Sequence, residues 1–287
     1  MWYRGIVSKD LRKRWLEQER YFGRSWTHVY YLWKLRHLML AATARRLLAR
    51  LPTGGTRRVV DIGCGAGDNL FEIYDVCSDL PEVAWFGLDL NIRGVGLGAS
   101  RSRFRVIERG MDPIHFLGGD ALHLPFADAC MDLIVSSEVL EHLPDPRPAL
   151  VEMERILKPA GYVFITTPNP RNLPELVGYA INHVSGGAFK RRYWRGHDAM
   201  SAPPLTAEVG HAHVSVHRFQ VWKRWLVESG FSVVAKVRGP VVFGGPFFDR
   251  HRWLSGVLIA LDPLIDDLPL RFLLSSNLGI LCRKPSR

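Results

Sequence analysis

The residues best suited to chemistry begin with one acid and three glycines. In Val59-Val60-Asp61-Ile62-Gly63-Cys64-Gly65-Ala66-Gly67-Asp68-Asn69-Leu70, a β-branched apolar run reaches an acid and then passes through G-x-G-x-G into a polar helix start. The pattern predicts a strand feeding a tight turn and a helix. Glycine suits such a turn because a Cβ would block close backbone approach to a ligand. Phosphate-binding turns use similar geometry, but this one starts from Asp61 and lacks the Gly-Lys-Ser/Thr ending of a nucleotide loop. An acid at a strand tip repels phosphate and attracts a cation. Proton movement at neutral pH would fall to histidine. His142 stands beside Glu141, and His197 lies among Tyr193, Trp194, Arg195 and Asp198, a patch suited to a polar or anionic group or simply to solvent. His211, His213 and His217 invite a metal reading, since residues two apart on a strand share a face. The four cysteines, Cys64, Cys77, Cys130 and Cys282, form no C-x-x-C pair or metal spacing, so no metal is expected and a reducing cytosol fits.

Further acids follow at regular points. Ala84-Trp85-Phe86-Gly87-Leu88-Asp89-Leu90-Asn91 is an apolar run closing on Asp89, and Phe116-Leu117-Gly118-Gly119-Asp120-Ala121-Leu122-His123-Leu124-Pro125-Phe126 carries Asp120. Then come Cys130-Met131-Asp132-Leu133-Ile134-Val135-Ser136-Ser137-Glu138-Val139-Leu140-Glu141-His142-Leu143-Pro144-Asp145 and Leu157-Lys158-Pro159-Ala160-Gly161-Tyr162-Val163-Phe164-Ile165-Thr166-Thr167-Pro168-Asn169. In this order and spacing the segments resemble the class I S-adenosylmethionine (SAM)-dependent methyltransferases, and within them the ubiquinone/menaquinone-biosynthesis type branch. The resemblance covers residues 57–170 and, more loosely, 211–238 and 277–284.

The resemblance implies SAM as cofactor, with Asp61, Gly63, Cys64, Gly65, Gly67 and Asn69 forming its turn. It implies Asp89 and Leu90 at the ribose, Asp120, Ala121 and Leu122 at the adenine, and Ser136 at the end of the fourth strand. It also implies an α/β, Rossmann-like sheet of seven strands in the order 3-2-1-4-5-7-6, the last antiparallel, with helices on both faces. Much of the branch carries the Glu-His pair whatever its substrate, which implies a loop-structuring role for His142 beside proton abstraction. The segment holding His211 and His213 corresponds to a lid. His142, His197 and His213 are the candidate catalytic residues. Thr167-Pro168-Asn169-Pro170 follows the fifth strand, whereas the similar amino-methylating signature follows the fourth. Methylation of an exocyclic amine is therefore disfavoured.

The elements that must position these groups are legible as alternating patterns. Helices are expected over 10–22 and 26–51, ended by Leu51-Pro52-Thr53-Gly54-Gly55, and strands near 58–62, 84–89, 114–119, 132–136 and 161–167. Phe219 to Ser229 reads as a helix, Gly230 to Val237 as a sixth strand and Asn277 to Arg283 as a seventh. Gly94-Val95-Gly96-Leu97-Gly98 opens a helix candidate and reads as a flexible loop over the ribose. The chain divides into an extension, 1–56, and a methyltransferase domain, 57–287, with insertions at about 168–218 and 239–276. The first insertion should overlie the reacting methyl group, since ligands of open α/β sheets bind beyond the carboxyl ends of the strands. The second is rich in Phe, Leu and Pro.

At 287 residues and 47% hydrophobic composition, the chain reads as one folded domain with appendages. No stretch of about eighteen residues is apolar enough to span a bilayer, and the N-terminus lacks the apolar core of a signal peptide. The formal charge of +10 is uneven: residues 1–58 carry an excess of +11 and the remainder −1. Among those cations stand Trp2, Tyr3, Trp15, Tyr21, Phe22, Trp26, Tyr30, Tyr31 and Trp33. A helical lid, a membrane-surface helix and a nucleic-acid grip all fit such a segment. The sequence reading is a cytoplasmic, or peripherally membrane-bound, SAM-dependent methyltransferase. Its expected acceptor is a hydroxyl oxygen of a small-molecule or lipid-linked substrate, and the basic arm together with the apolar second insertion suits a greasy tail. The alternatives are an RNA methyltransferase gripping through the basic arm and a non-catalytic SAM-binding module.

Overall fold

Strand β4 (Met131–Ser137) shows why the sheet forms: all seven of its residues are buried, as a central parallel strand covered on both faces requires. The computed structural model describes residues 28–52, 54–188, 214–239, 268 and 271–286. Around β4 lie β1 (Arg57–Ile62), β2 (Val83–Asp89), β3 (Ile114–Gly118), β5 (Leu157–Pro168), β6 (Ser232–Arg238) and β7 (Asn277–Arg283). Their order is β3-β2-β1-β4-β5-β7-β6. The first five run parallel, and β7 is antiparallel to both neighbours. Sequence order reverses between β1 and β4, so the crevice beyond their carboxyl ends is the switch point where such sheets bind ligands.

Period-2 alternation divides the core. Val59, Leu133, Val135, Phe164 and Leu281 face helix α1 (His28–Leu48) and helix α2 (Asp68–Cys77). Val60, Ile62, Ile134, Ile165 and Ile280 face α4 (Arg147–Ile156) and α6 (Phe219–Glu228), whose Leu150, Met153, Trp222 and Leu226 are fully buried. The described part of the basic extension is integral to the first layer: Leu40, Leu47 and Leu48 of α1 are buried, and Arg45 forms a bidentate pair with Asp79 beyond α2. At about 1.5–3 kcal/mol for each buried leucine, α1 from Leu38 onward contributes to the core rather than standing off as an arm. Residues 1–27, with the expected helix at 10–22, lie outside the described residues, as do residues 189–213 of the first insertion and most of the second.

Three local expectations are corrected. The glycine string at 94–98 is no loop: it forms the first turns of α3 (Ile92–Arg109), capped by Asn91, whose Oδ1 accepts from the N–H groups of Arg93 and Gly94. A Cβ on Gly94 would meet the Gly65 carbonyl at 3.2 Å and one on Gly98 the Phe116 ring at 2.6 Å, so these glycines let α3 pack closely. Strand β5 starts at Leu157 because Ala160, at φ +64°, absorbs an irregularity that extends pairing with β4. The first insertion opens with an unanticipated helix, α5 (Leu173–Val184), which leaves Leu173, Leu176, Val177, Ile181 and Val184 exposed. Among the described residues, no helix is long and apolar enough to cross a membrane.

Candidate functional site

The turn after β1 combines enforced closeness with deliberate space. Gly63 has φ +77°, and a Cβ there would fall 2.2 Å from Val139 Cγ2. Gly65 has φ +52°, and a Cβ there would meet nothing within 4 Å, so its open side can take a ligand against bare backbone. The Gly63 and Cys64 N–H groups donate to the Leu88 carbonyl at 2.7 and 3.1 Å, fixing the turn to β2. Asp61 is fully buried, and neither carboxylate oxygen has a hydrogen-bond partner among the described residues. Burial, with the charge of Asp89 second, pushes its carboxyl well above the usual range. A buried acid left unpaired is costly unless a donor or cation completes it. Burial, then the Asp61 and Asp89 charges, pushes the Cys64 thiol up as well, so it packs as an inert apolar group.

The next two acids are held with lone pairs to spare. Asp89 Oδ2 accepts from Gly65 N–H and Oδ1 from Asn91 N–H, both at 2.7 Å, so one carboxylate clamps the glycine turn to the start of α3. Asp120 Oδ1 accepts from Leu122 N–H at 2.9 Å while the side chain remains 44% exposed. Ala121 and Leu122 are partly buried, Leu90 is exposed, and Asn69 Oδ1 is buried with no partner among the described residues. The donor set fits SAM: an orphaned carboxylate for an ammonium, an open glycine for close approach, and two acids with remaining acceptor capacity. Phe116, which sequence reasoning passed over, lies under Gly67, Gly87 and Gly98 at once. Three glycines converging on one aromatic are visible only after folding.

Beyond β4 the site becomes a polar network. Strand alternation puts Ser136 on the α4/α6 face, its Oγ buried without a partner among the described residues, and Ser137 on the face of Asp61. Ser137 Oγ lies 2.9 Å from Thr166 Oγ1, which donates to Glu138 Oε1 at 2.9 Å. Asn277 Nδ2 donates to Glu138 Oε2 at 2.6 Å, and Arg36 Nη1 stands 3.5 Å from the same oxygen. Glu138 adopts φ +56°. Glu141, in the 3-10 turn Leu140–His142, is fully buried, with neither carboxylate oxygen hydrogen-bonded among the described residues. Burial, then the Glu138 charge, pushes its carboxyl up to about 9, against the opposing pull of Arg36.

His142 sits in that same turn, next to Glu141 in sequence, its backbone N–H donating to the Val139 carbonyl at 3.0 Å. His217 is engaged elsewhere: it lies 3.0 Å from Ser215 Oγ and packs edge-on to Trp225. His197, His211 and His213 lie outside the described residues. No cluster of three or more metal-ligating residues occurs among the described residues. Sequence reasoning treated Glu138 only as loop and missed Arg36, Thr166 and Asn277, which meet from positions up to 139 residues away from it.

Comparison with known proteins agrees with this geometry. A family profile described as a methyltransferase domain matches residues 55–197. A demethylmenaquinone methyltransferase from Bacillus velezensis is 30% identical over 181 residues, covering 56% of this chain and 74% of its own. A protein named as a probable chloroplastic tocopherol O-methyltransferase from Oryza sativa subsp. japonica is 33% identical over 118 residues, covering 41% of this chain and 30% of its own. Among solved structures, the carbon methyltransferase CurJ superposes with TM-score 0.54 at 15% identity, over 89% of this chain and 55% of that one, a likeness of fold.

Proposed function

Because this chain belongs to the class I SAM-dependent methyltransferases, we propose that it methylates a hydroxyl oxygen on a small-molecule or lipid-linked acceptor. The observation that carries the reading is the pairing of two kinds of carboxyl around the switch point. Asp61 is buried beneath an open glycine turn and Glu141 is buried beyond β4, and neither carboxylate has a hydrogen-bond partner among the described residues. The first suits a cationic cofactor, the second a protic acceptor. Bound SAM supplies an activated methyl group on a sulfonium.

The chain's own residues bind, orient and exclude water. Asp61, Asn69 and the backbone of Gly63, Cys64, Gly65 and Gly67 hold the cofactor's amino-acid end. Asp89 and Leu90 take the ribose, Asp120, Ala121 and Leu122 the adenine, and the Ser136 backbone closes the strand end. A hydroxyl nucleophile must lose a proton, and His142, beside Glu141 on the β4 turn, is positioned to assist. His197 and His213 are the further candidates from the first insertion. The lipid-linked alternative draws on the exposed apolar stripe of α5 shortly after β5 and on the relatives named for demethylmenaquinone and tocopherol. An acceptor of that kind would place the enzyme in the cytoplasm or at a membrane surface.

The test is methyl transfer from isotope-labelled SAM into cell extract, separated into lipid, small-molecule, RNA and protein fractions. Label in lipid or small molecules is expected. Label confined to RNA would replace this reading with one in which the basic N-terminal segment grips nucleic acid, and no label despite SAM binding would indicate a non-catalytic module.

A further inference from the structure

Glu138 occupies backbone space that side-chain-bearing residues rarely enter, at φ +56°. Such a residue persists where its surroundings over-determine it. Here three elements far apart in sequence do so: Thr166 of β5 and Asn277 of β7 each donate to one carboxylate oxygen, and Arg36 of α1 approaches within 3.5 Å. Because each oxygen already accepts a hydrogen bond, Arg36 adds charge and a tether from the N-terminal helix. The side chains of Arg36 and Glu138 are only 17% and 16% exposed, so the pair is shielded from solvent screening. Arg36 Nε is itself buried with no hydrogen-bond partner among the described residues. A donor left so needs a partner from elsewhere. Glu141, close enough for both Arg36 and Glu138 to act on its charge, supplies an unpaired acid to the same small volume.

We propose that Arg36 is an acceptor-positioning residue: by pairing with Glu138 it pins α1 to the β4 turn, makes that helix a wall of the acceptor cleft, and keeps its Nε–H for a polar group of the acceptor. The acceptor role rests on the methyl-transfer reading above, whereas the tether does not.

Three variants separate the two. Arg36→Met keeps an aliphatic stem and removes charge and donors, Arg36→Lys restores charge, and Glu138→Gln weakens the other end. Hydrogen exchange needs no acceptor: in Arg36→Met the amides of 138–143 and of α1 around residue 36 should exchange about tenfold faster, with Arg36→Lys in between. Calorimetric SAM affinity should stay within about twofold of wild type, while labelled transfer from SAM into the lipid and small-molecule fractions falls about tenfold or more. Arg36→Met combined with Glu138→Gln should cost less than the sum of the two single changes, since both break one pair, while the part that adds is the Thr166 or Asn277 hydrogen bond that glutamine's NH2 cannot accept. Unchanged exchange at both segments in Arg36→Met overturns the tether. Parallel loss of SAM affinity and transfer overturns the positioning role in favour of general destabilisation. Should Arg36→Met fail to fold, the same readouts on Arg36→Lys and Glu138→Gln decide. A wild-type chain that binds SAM yet labels no fraction overturns the methyl-transfer reading, and with it the acceptor role, while exchange still decides the tether.

Discussion

Glu141→Gln offers the sharpest quantitative prediction. The Glu141 carboxyl is fully buried beside Glu138, and burial first, then that neighbour's charge, raises it from 4.5 to about 9. Between those two values the folded chain keeps a proton that the unfolded chain has released. Stability therefore falls as pH rises, by about 1.4 kcal/mol per pH unit, and the deficit reaches about 3 kcal/mol at neutral pH. Below the ordinary glutamate range both states are protonated and the deficit vanishes. Glutamine keeps the shape and removes the titration. Its buried amide adds a desolvation penalty of about 1–3 kcal/mol, but that penalty is independent of pH. Asp61, raised for the same reason and with the same sign, is present in both proteins, so subtracting the two stabilities isolates Glu141. Urea unfolding measured at intervals from about pH 5.5 to about pH 8.5 should show the variant gaining on wild type by about 1.4 kcal/mol per unit. Stability curves that run parallel across this range would refute the assignment of Glu141 as a protonated, unpaired acid.

Four further outcomes are expected. Burial raises the Asp61 carboxyl well above its usual range and a bound cation favours its charged form, so SAM binding should release protons on the acid side of neutrality, detected calorimetrically in buffers of differing ionisation enthalpy over a series of pH values, and Asp61→Asn should abolish the release. Asp89→Ala should weaken SAM binding by about 1–3 kcal/mol, because its remaining acceptor capacity is lost; unchanged affinity in a titration would mean the ribose lies elsewhere. Gly63→Ala drives a methyl into Val139 and should lower the melting temperature, whereas Gly65→Ala meets no protein atom, should cost only about 1 kcal/mol for its backbone angle, and should nevertheless lose SAM. Leu47→Ala should destabilise by about 2–5 kcal/mol in urea unfolding, as for any fully packed core leucine, and a change near zero would return α1 to the status of a detachable arm.

What the sequence disclosed and what it withheld divide along a physical line. The order of β1 to β7, the glycine turn and the three acids at strand ends are local: each is written in a run of about a dozen residues whose apolar period and terminal residue survive in any context. Asp61, Asp89 and Asp120 were therefore read as candidates, and the structure holds Asp61 and Asp89 within the last two residues of β1 and β2 and Asp120 just after β3. The glycines at 94–98 misled because composition registers flexibility, while their use here is to admit the Gly65 backbone and the Phe116 ring against a regular helix. Ala160 hid the start of β5, since a left-handed alanine leaves no mark in the residue pattern. The basic charge of residues 1–58 concealed the fact that Leu40, Leu47 and Leu48 complete one layer of the core.

The acceptor side was illegible for a reason that also explains its design. Arg36, Glu138, Thr166 and Asn277 come from α1, the β4 turn, β5 and β7. No local pattern predicts that they meet, because what joins them is the sheet order: β5 lies between β4 and β7, and α1 crosses the face to which Ser137 and Thr166 point. A cofactor shared by many enzymes can be bound by residues packed into one continuous βαβ unit, so its recognition survives as a motif. An acceptor particular to one enzyme is better gripped by groups drawn from separate elements, each able to change without disturbing the glycine turn. On that argument, substitutions at Arg36 or Asn277 should alter which acceptor is methylated while leaving SAM affinity within about twofold, and substitutions at Asp61 or Asp89 should depress transfer to every acceptor alike. Competition between two acceptor fractions for labelled methyl, run with both sets of variants, distinguishes the two halves, and equal loss across fractions for Arg36 and Asp89 variants would dissolve the division.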